Sequence, residues 1–208
     1  MLIKTIPVGQ LETNCYVVIH EQSLECVVID PGDESNTILD YMESNHLKCR
    51  AILLTHGHYD HVAGVEEIRS TYGIPVYIHA ADEKCLRSGQ ANLAYQLTDK
   101  AFIPVAEYQT LSDGDTLHIG ELEITVIHTP GHTPGGVCYQ IGDALFTGDT
   151  LFAGSIGRID LGGNAQDMRV SLERLASLCG DYEVYPGHMG SSTLDWERQN
   201  NPCMGGIL

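Results

Sequence analysis

The sequence predicts an α/β fold in which helices cover the faces of β-sheets. Short apolar and β-branched runs alternate with amphipathic helical patterns along the whole chain. The second half also partly repeats the order of elements found in the first half. A length of 208 residues with 43% hydrophobic content suits a globular domain with a sizeable core. We therefore expect a single domain that spans residues 1–208.

The first half begins as a meander of strands and continues in a βαβα order. Apolar runs bounded by turn residues predict five strands, at residues 2–7, 15–20, 26–29, 51–54 and 76–78. Apolar positions at helical spacing predict helices at residues 36–43 and 62–72, and a third helix from residue 80. Such an order requires the helices to lie on the sheet faces.

The second half contains strands joined by short glycine turns, then a helix and a last strand. The strands are predicted at residues 116–119, 121–127, 137–141, 144–146 and 183–185. Residues 167–178 have the pattern of an amphipathic helix. Residues 89–111 match no pattern well, and we expect a helix followed by a surface loop, a kind of segment that often borders active sites.

Charge and cysteine content disfavour several classes of function. Eleven Lys and Arg against 28 Asp and Glu give a net charge of −17, which repels nucleic acids and anionic membranes. We find neither a secretory signal nor an apolar run approaching the roughly 18 residues of a membrane helix. The seven cysteines never form C-x-x-C, which argues against a disulfide framework or a thiolate zinc site. We expect buried free cysteines, a cytoplasmic location and a small-molecule substrate, with the oligomeric state left open.

A dense group of possible metal ligands follows the strand predicted at residues 51–54. His56, His58, Asp60 and His61 lie within six residues, and in an extended segment His56 and His58 point the same way. Gly57 is expected to let the chain turn, so that Asp60 and His61 approach a neighbouring point. The alternative is a capped turn in which Asp60 is the N-cap of the next helix.

The same order of strand, turn and ligand recurs at His132, Asp149 and His188. Strand ends along one sheet edge converge on one cleft, so we expect these three residues to join the first group. Seven nitrogen and oxygen ligands suffice for two metal ions: His56, His58 and His132 for one, Asp60, His61 and His188 for the other, and Asp149 as the bridge. Ligands of this softness suit Zn, Fe or Mn. We expect two divalent ions, with Zn first and Fe or Mn as alternatives.

With this motif the chain resembles the metallo-β-lactamase superfamily of hydrolases. The resemblance rests on H-x-H-x-D-H at residues 56–61 together with His132, Asp149 and His188, and it extends over essentially the whole chain. It implies a four-layer αββα sandwich, with two mixed sheets and helices on the outer faces. It also implies that the seven residues are the ligands of a binuclear site.

Further motifs are similar to the glyoxalase II branch, the hydroxyacylglutathione hydrolases. They are DPG at residues 30–32, TPGHTPG at 129–135, TGDTLF at 147–152 and YPGH at 185–188. Longer members of that branch carry a helical C-terminal domain that helps to bind glutathione, whereas this chain ends about twenty residues after His188. The chain therefore looks like the short, single-domain members. Their longer relatives place a cationic substrate-binding residue at the position of Arg158 and a tyrosine at that of Asp160.

Ligand set and resemblance together predict a metal-dependent hydrolase in which a metal-bridging hydroxide cleaves a small thioester, such as an acylglutathione-like substrate. A thiolate departs without a strong general acid, and Asp60 is the expected catalytic residue because it would position the hydroxide. Arg158 is expected to bind a carboxylate of the substrate, with an ion pair to Asp160 as the alternative. The open alternatives for function are a persulfide dioxygenase with mononuclear iron, a lactone or β-lactam hydrolase, and a non-catalytic metal-binding partner module for redox proteins.

The remaining polar candidates receive supporting roles. Asp30 is expected to be either a turn aspartate or a residue that orients a ligand histidine. His79 is expected to have a structural role, and His128 to be satisfied by the backbone. Solvated positions are expected for His20, His46 and His118.

Overall fold

Two mixed β-sheets face each other in the computed structural model, which describes residues 1–205. The first sheet has the strand order β1-β2-β3-β4-β5-β6. Its first three strands are antiparallel, and β3 to β6 are parallel. The bounds are β1 Leu2–Val8, β2 Thr13–Ile19, β3 Glu25–Ile29, β4 Lys48–Leu53, β5 Val76–His79 and β6 Gln109–Leu111.

The second sheet is built from the C-terminal half in the order β14-β13-β10-β9-β8-β7. β10 and β13 pair in parallel, and the other neighbours are antiparallel. A separate hairpin is formed by β11 and β12. The bounds are β7 Thr116–Ile119, β8 Leu122–His128, β9 Val137–Ile141, β10 Ala144–Gly148, β11 Leu151–Phe152, β12 Ser155–Ile156, β13 Glu183–Pro186 and β14 Ser192–Thr193.

The helices lie outside the pair of sheets or in the loops at their edge. Their bounds are α1 Ser35–Ser44, α2 Tyr59–Val62, α3 Val65–Tyr72, α4 Ala94–Leu97, α5 Ala165–Ala176 and α6 Leu194–Asn200, with a 3-10 helix at Ala80–Leu86. No helix within residues 1–205 is long and apolar enough to cross a membrane. All seven cysteines are free, and five of them are buried as expected.

Alternation of side chains along the strands creates three stacked cores. In β3, Val27 and Ile29 face the second sheet, whereas Cys26 and Val28 face the outer helices. α1 and α3 close the outer core of the first sheet, and α5 and α6 close that of the second. The result is the four-layer αββα sandwich, with two mixed sheets inside and helices on both outer faces.

Each predicted strand is present, and the helical segments differ in detail. The helix predicted at residues 62–72 is divided into α2 and α3, because Gly64 packs against Pro31 and donates its N–H to the Pro31 carbonyl at 2.9 Å. The helix predicted from residue 80 is a 3-10 helix. Within residues 89–111, α4 is the expected helix, but the loop after it ends in strand β6, which pairs with β5. The expectation of a single domain over 1–208 stays a prediction.

Candidate metal centre

The seven predicted ligands come together where strands of both sheets end. His56, His58, Asp60 and His61 follow β4 in the first sheet. The others belong to the second sheet, where His132 follows β8, Asp149 follows β10 and His188 follows β13. The centre therefore lies at one edge of the sandwich and draws on both sheets.

Three histidines form one half of the centre. His56, His58 and His132 are all buried, and each offers a ring nitrogen within 4.8 Å of the other two. The closest pair is His58 Nδ1 and His132 Nε2, at 2.8 Å.

The other half consists of Asp60, His61 and His188, whose ligand atoms also lie within 4.8 Å of one another. Asp149 lies between the two halves. Its carboxylate oxygens are 3.4 Å from His61 Nε2, 3.5 Å from His132 Nε2 and 3.7 Å from His188 Nε2. One carboxylate thus reaches both groups of ligands.

Hydrogen bonds on the far side of three rings decide which nitrogen faces the centre. His61 Nδ1 donates to Asp30 at 2.9 Å, His132 Nδ1 to the carbonyl of Arg158 at 2.6 Å, and His188 Nδ1 to the carbonyl of Leu11 at 3.0 Å. These acceptors have no proton to give, so each neutral ring turns the lone pair of Nε2 toward the centre.

The chemistry of these atoms fits divalent cations. His56 Nε2, His61 Nε2 and Asp149 Oδ1 are buried without a hydrogen-bond partner among residues 1–205. An unsatisfied buried polar atom costs about 1–3 kcal/mol, and three such atoms at one place need a common partner. Imidazole nitrogens and carboxylate oxygens suit Zn, Fe or Mn. We conclude that the residues present fit a metal centre.

Two glycines make room for the centre. A Cβ on Gly187, the residue before His188, would lie 2.3 Å from Asp149 Oδ1 and 2.8 Å from the His61 ring. Gly57 was expected to permit a turn, but its φ is not positive. It is needed instead because a Cβ there would lie 2.4 Å from Cys85 Cβ.

Burial and neighbouring charges shift the pKa values in the metal-free centre, acting together on two histidines and against each other on His61 and Asp60. Burial lowers the pKa of His56, and neighbouring histidines lower it further. Burial and then His132 lower the pKa of His58 to about 4. Burial would also lower the pKa of His61, but the carboxylates of Asp60, Asp149 and Asp30 outweigh it and raise that pKa. Burial would raise the pKa of Asp60, but His61 and His188 hold it well below its usual range.

Asp30 orients two parts of the centre. Besides accepting the bond from His61, it accepts the backbone N–H of Thr55 at 2.8 Å. This arrangement favours the orienting role over that of a plain turn aspartate. Asp60 is not an N-cap, because α2 begins at Tyr59 and the Asp60 side chain accepts a bond from the Thr13 hydroxyl at 3.0 Å.

The two histidines predicted to be structural lie outside the centre. His79 accepts the backbone N–H of Ala81, and His128 donates to the carbonyl of Pro134 at 2.9 Å. Their rings stack at 4.0 Å. His20 hydrogen-bonds Ser23, and His46 and His118 are exposed.

Arg158 is exposed and forms a two-pronged ion pair with Asp160, at 2.9 and 2.8 Å. This is the alternative foreseen for its side chain, and its binding of substrate stays a prediction. Its backbone carbonyl has a separate role that the sequence did not indicate, since it orients His132.

A cleft of about 320 Å³ opens beside Asp60. Its walls include Leu11, Tyr59 and Leu97, and Lys100 stands at its border in an ion pair with Asp33 at 3.0 Å. The cleft next to the candidate metal centre thus combines apolar and polar walls, with the carboxylates of Asp33, Glu34 and Asp60 and one cation, Lys100. The segment at residues 89–111, which has no clear sequence pattern, supplies one side of it.

Comparison with known proteins relates this chain to metal-dependent hydrolases. The sequence profile of the metallo-beta-lactamase superfamily matches residues 8–188. A hydroxyacylglutathione hydrolase of Tolumonas auensis is 37% identical over 89% of this chain and 64% of its own length. Among the crystal structures that cover nearly the whole chain are those of the B3 metallo-beta-lactamase BLEG-1 and of a di-iron-bound form of TTHA1623.

BLEG-1 superimposes with a TM-score of 0.92 at 35% identity, covering 99% of this chain and 100% of its own. TTHA1623 superimposes with a TM-score of 0.84 at 37% identity, covering 96% of this chain and 98% of its own.

Acid should destabilise the metal-free protein through His58. Its pKa is about 4 in the folded protein and about 6.5 in the unfolded chain, so the unfolded state binds this proton more tightly than the folded state does. This penalty is absent above pH 6.5 and grows as the pH falls toward 4. Between pH 7 and 4, we expect the free energy of unfolding to fall about 2–3 kcal/mol more than in His58→Gln.

The measurement is urea unfolding with a chelator present, on both proteins at both pH values. An equal loss in the unsubstituted protein and in His58→Gln would contradict the prediction.

Proposed function

We propose a metal-dependent hydrolase function for this chain, which belongs to the metallo-beta-lactamase superfamily. One observation carries the proposal: two groups of three ligand atoms are assembled side by side, and Asp149 lies within 3.7 Å of members of both. This arrangement suits two ions that share a carboxylate. A module that only binds metal has no need of the open cleft beside Asp60.

The seven residues would hold two divalent ions. His56, His58 and His132 would bind one, Asp60, His61 and His188 would bind the other, and Asp149 would contact both. Zn is the first choice for this ligand set. Fe is an alternative, since a 37% identical protein is described in a di-iron-bound form. When bound, two such ions supply Lewis-acid chemistry, which polarises a substrate carbonyl and lowers the pKa of a water toward neutrality.

Asp60 is placed to orient the attacking water. Its carboxylate is ionised at neutral pH because His61 and His188 offset the effect of burial on its pKa, so it can accept a hydrogen bond from the water. The Thr13 hydroxyl holds one of its oxygens at 3.0 Å. A carbonyl that docks beside Asp60 has the 320 Å³ cleft available for the rest of the substrate.

A small thioester is the substrate class we favour. Its leaving group is a thiolate, whose conjugate thiol has a pKa of about 8.5, so departure needs no strong proton donor. The 37% identical hydroxyacylglutathione hydrolase of Tolumonas auensis supports this class. This chain matches 64% of that relative's length, so the thiol half, glutathione or another small thiol, is proposed only as a class.

A β-lactam hydrolase is the second candidate. It is favoured by the similarity to BLEG-1 over 99% of this chain, and hydrolysis of a lactam requires the same kind of site. A dioxygenase with a single iron would use fewer of these ligands and would leave the group of Asp60, His61 and His188 without a purpose.

Metal content tests the two-ion centre directly. We expect elemental analysis of the fully loaded protein to approach two divalent ions per chain. Asp149→Ala should lower the metal content below one ion per chain, because its carboxylate serves both ions. His188→Ala should retain about one ion per chain. Asp143→Ala, at an exposed turn, is the matched control and should keep two. A plateau at one ion in the unsubstituted protein would overturn the proposal.

A panel of substrates tests the reaction. We expect small acylated thiols to be hydrolysed with kcat/KM at least about tenfold above lactones and β-lactams, a difference of about 1.4 kcal/mol in transition-state stabilisation. The protein should be assayed at known metal content, with Asp60→Asn as the variant that retains the fold but loses the carboxylate. Faster turnover of a β-lactam than of every thioester would assign the second candidate function instead.

Arg158 and Lys100 can be compared as anchors for a substrate carboxylate. Both are paired with an exposed or half-exposed aspartate, an interaction of only about 0–1 kcal/mol that a substrate can replace. We expect Arg158→Ala to raise KM about tenfold for a carboxylate-bearing thioester and to leave its neutral analogue and kcat nearly unchanged. If Lys100→Ala alone has this effect, Arg158 has a structural role.

A further inference from the structure

A buried carboxylate outside the seven ligands joins the two loops that carry the three-histidine group. Asp82 lies in the 3-10 helix Ala80–Leu86 and is 1% exposed. Its Oδ2 accepts the backbone N–H of Gly57 at 3.1 Å, and its Oδ1 accepts the backbone N–H of Gly135 at 2.8 Å. Gly57 separates His56 from His58, and Gly135 follows His132 by three residues.

The loops are also shaped to admit this helix. A Cβ on Gly135 would lie 2.6 Å from Asp82 Cγ, and a Cβ on Gly57 would lie 2.4 Å from Cys85 Cβ. Both loops therefore contact the 3-10 helix at positions where only glycine fits. The 3-10 helix therefore forms a wedge between the two loops, which it contacts through two hydrogen bonds and two close contacts.

His58 depends on this wedge more than the other histidines do. Four of the five rings have a second nitrogen held by Thr55, Asp30, Arg158 or Leu11. Within residues 1–205, the only hydrogen bond of the His58 ring joins its Nδ1 to the ring of His132. The orientation of His58 therefore rests on its backbone, which is held by Gly57 N–H on Asp82 and by Tyr59 N–H on the Asn92 carbonyl at 2.8 Å.

We propose that Asp82 is a positioning residue that holds the His56–His58 loop and the His132 loop at the spacing required for the first metal ion. Both acceptors belong to one rigid carboxylate, so neither loop shifts without breaking a bond to a buried charge. Asp82 is not one of the seven candidate ligands, and both of its carboxylate oxygens accept bonds from loop amides. The inference rests on the proposed metal centre and adds a residue that no ligand motif contains.

The test compares Asp82→Asn with Asp115→Asn. Asparagine at position 82 keeps the size but presents an N–H₂ to one of the two backbone donors. Asp115 accepts the backbone N–H of Ser112 at 2.8 Å in an exposed turn, so it is the same kind of contact away from the centre. Zn²⁺ binding is measured by competition with a chromophoric chelator, and Co²⁺ spectra report the geometry of each site.

We expect Asp82→Asn to weaken one of two Zn²⁺ sites about 10–100-fold and to alter one set of Co²⁺ bands. The second site and Asp115→Asn should match the unsubstituted protein. Unchanged affinities and spectra in folded Asp82→Asn would overturn the proposal, as would equal weakening of both sites. If the unsubstituted protein binds fewer than two ions, the metal centre itself is wrong, which is a separate outcome.

Folding is checked by circular dichroism before each titration. Should Asp82→Asn fail to fold, Asp82→Ser is used, because its hydroxyl accepts one bond without a misplaced N–H₂. If neither variant folds even with Zn²⁺ present, Asp82 acts in folding and the proposal is wrong.

Discussion

Hydrogen bonds between the two sheets, close to the metal centre, are the constraint on which the rest depends. At the start of β2, Asn14 N–H donates to the Gly187 carbonyl at 2.7 Å, and Asn14 Nδ2 donates to the carbonyls of Pro186 and Met189. At the other side, Val137 N–H donates to the Thr55 carbonyl at 2.8 Å, and Tyr139 O–H to the Leu54 carbonyl at 2.8 Å. Apolar packing alone holds sheets together without fixing how one slides on the other, whereas these directional bonds fix the relative position of both ligand sets.

The fixed position matters because the centre is costly to assemble. Buried imidazoles and carboxylates are driven toward or away from protonation by burial and by one another, and several of their atoms have no protein partner. The surrounding carbonyls and Asp30 direct the Nε2 atoms of three rings inward before any ligand arrives. A prearranged site of this kind binds a cation without paying for reorganisation of the chain. The acidic surface is compatible with this role, since a net charge of −17 favours the approach of cations over that of phosphate-rich polymers.

Glycine supplies the second requirement, which is close approach. Gly57, Gly135 and Gly187 each stand where a side chain would overlap a neighbour that belongs to the centre or supports it. The absence of a side chain at these positions explains why Pro-Gly and Gly-rich turns surround the ligands, in addition to the usual effect of glycine on turn geometry. The same principle separates α2 from α3 at Gly64.

The sequence by itself determined the α/β class, ten of the fourteen strands and the seven ligand candidates, because side-chain periodicity and strand-end motifs are local and are read from neighbouring residues. It did not indicate the short strands β6, β11, β12 and β14, which have only two or three residues each. It did not reveal that the helix at residues 62–72 is interrupted, since that break follows from Pro31, far earlier in the chain. Nor did it indicate Asp82, Thr13 or the carbonyl of Arg158, whose roles arise from contacts across 25 to 53 residues. An aspartate in a short helix looks the same whether it faces water or two buried amides. Only the tertiary structure decides, because only packing brings those amides to it.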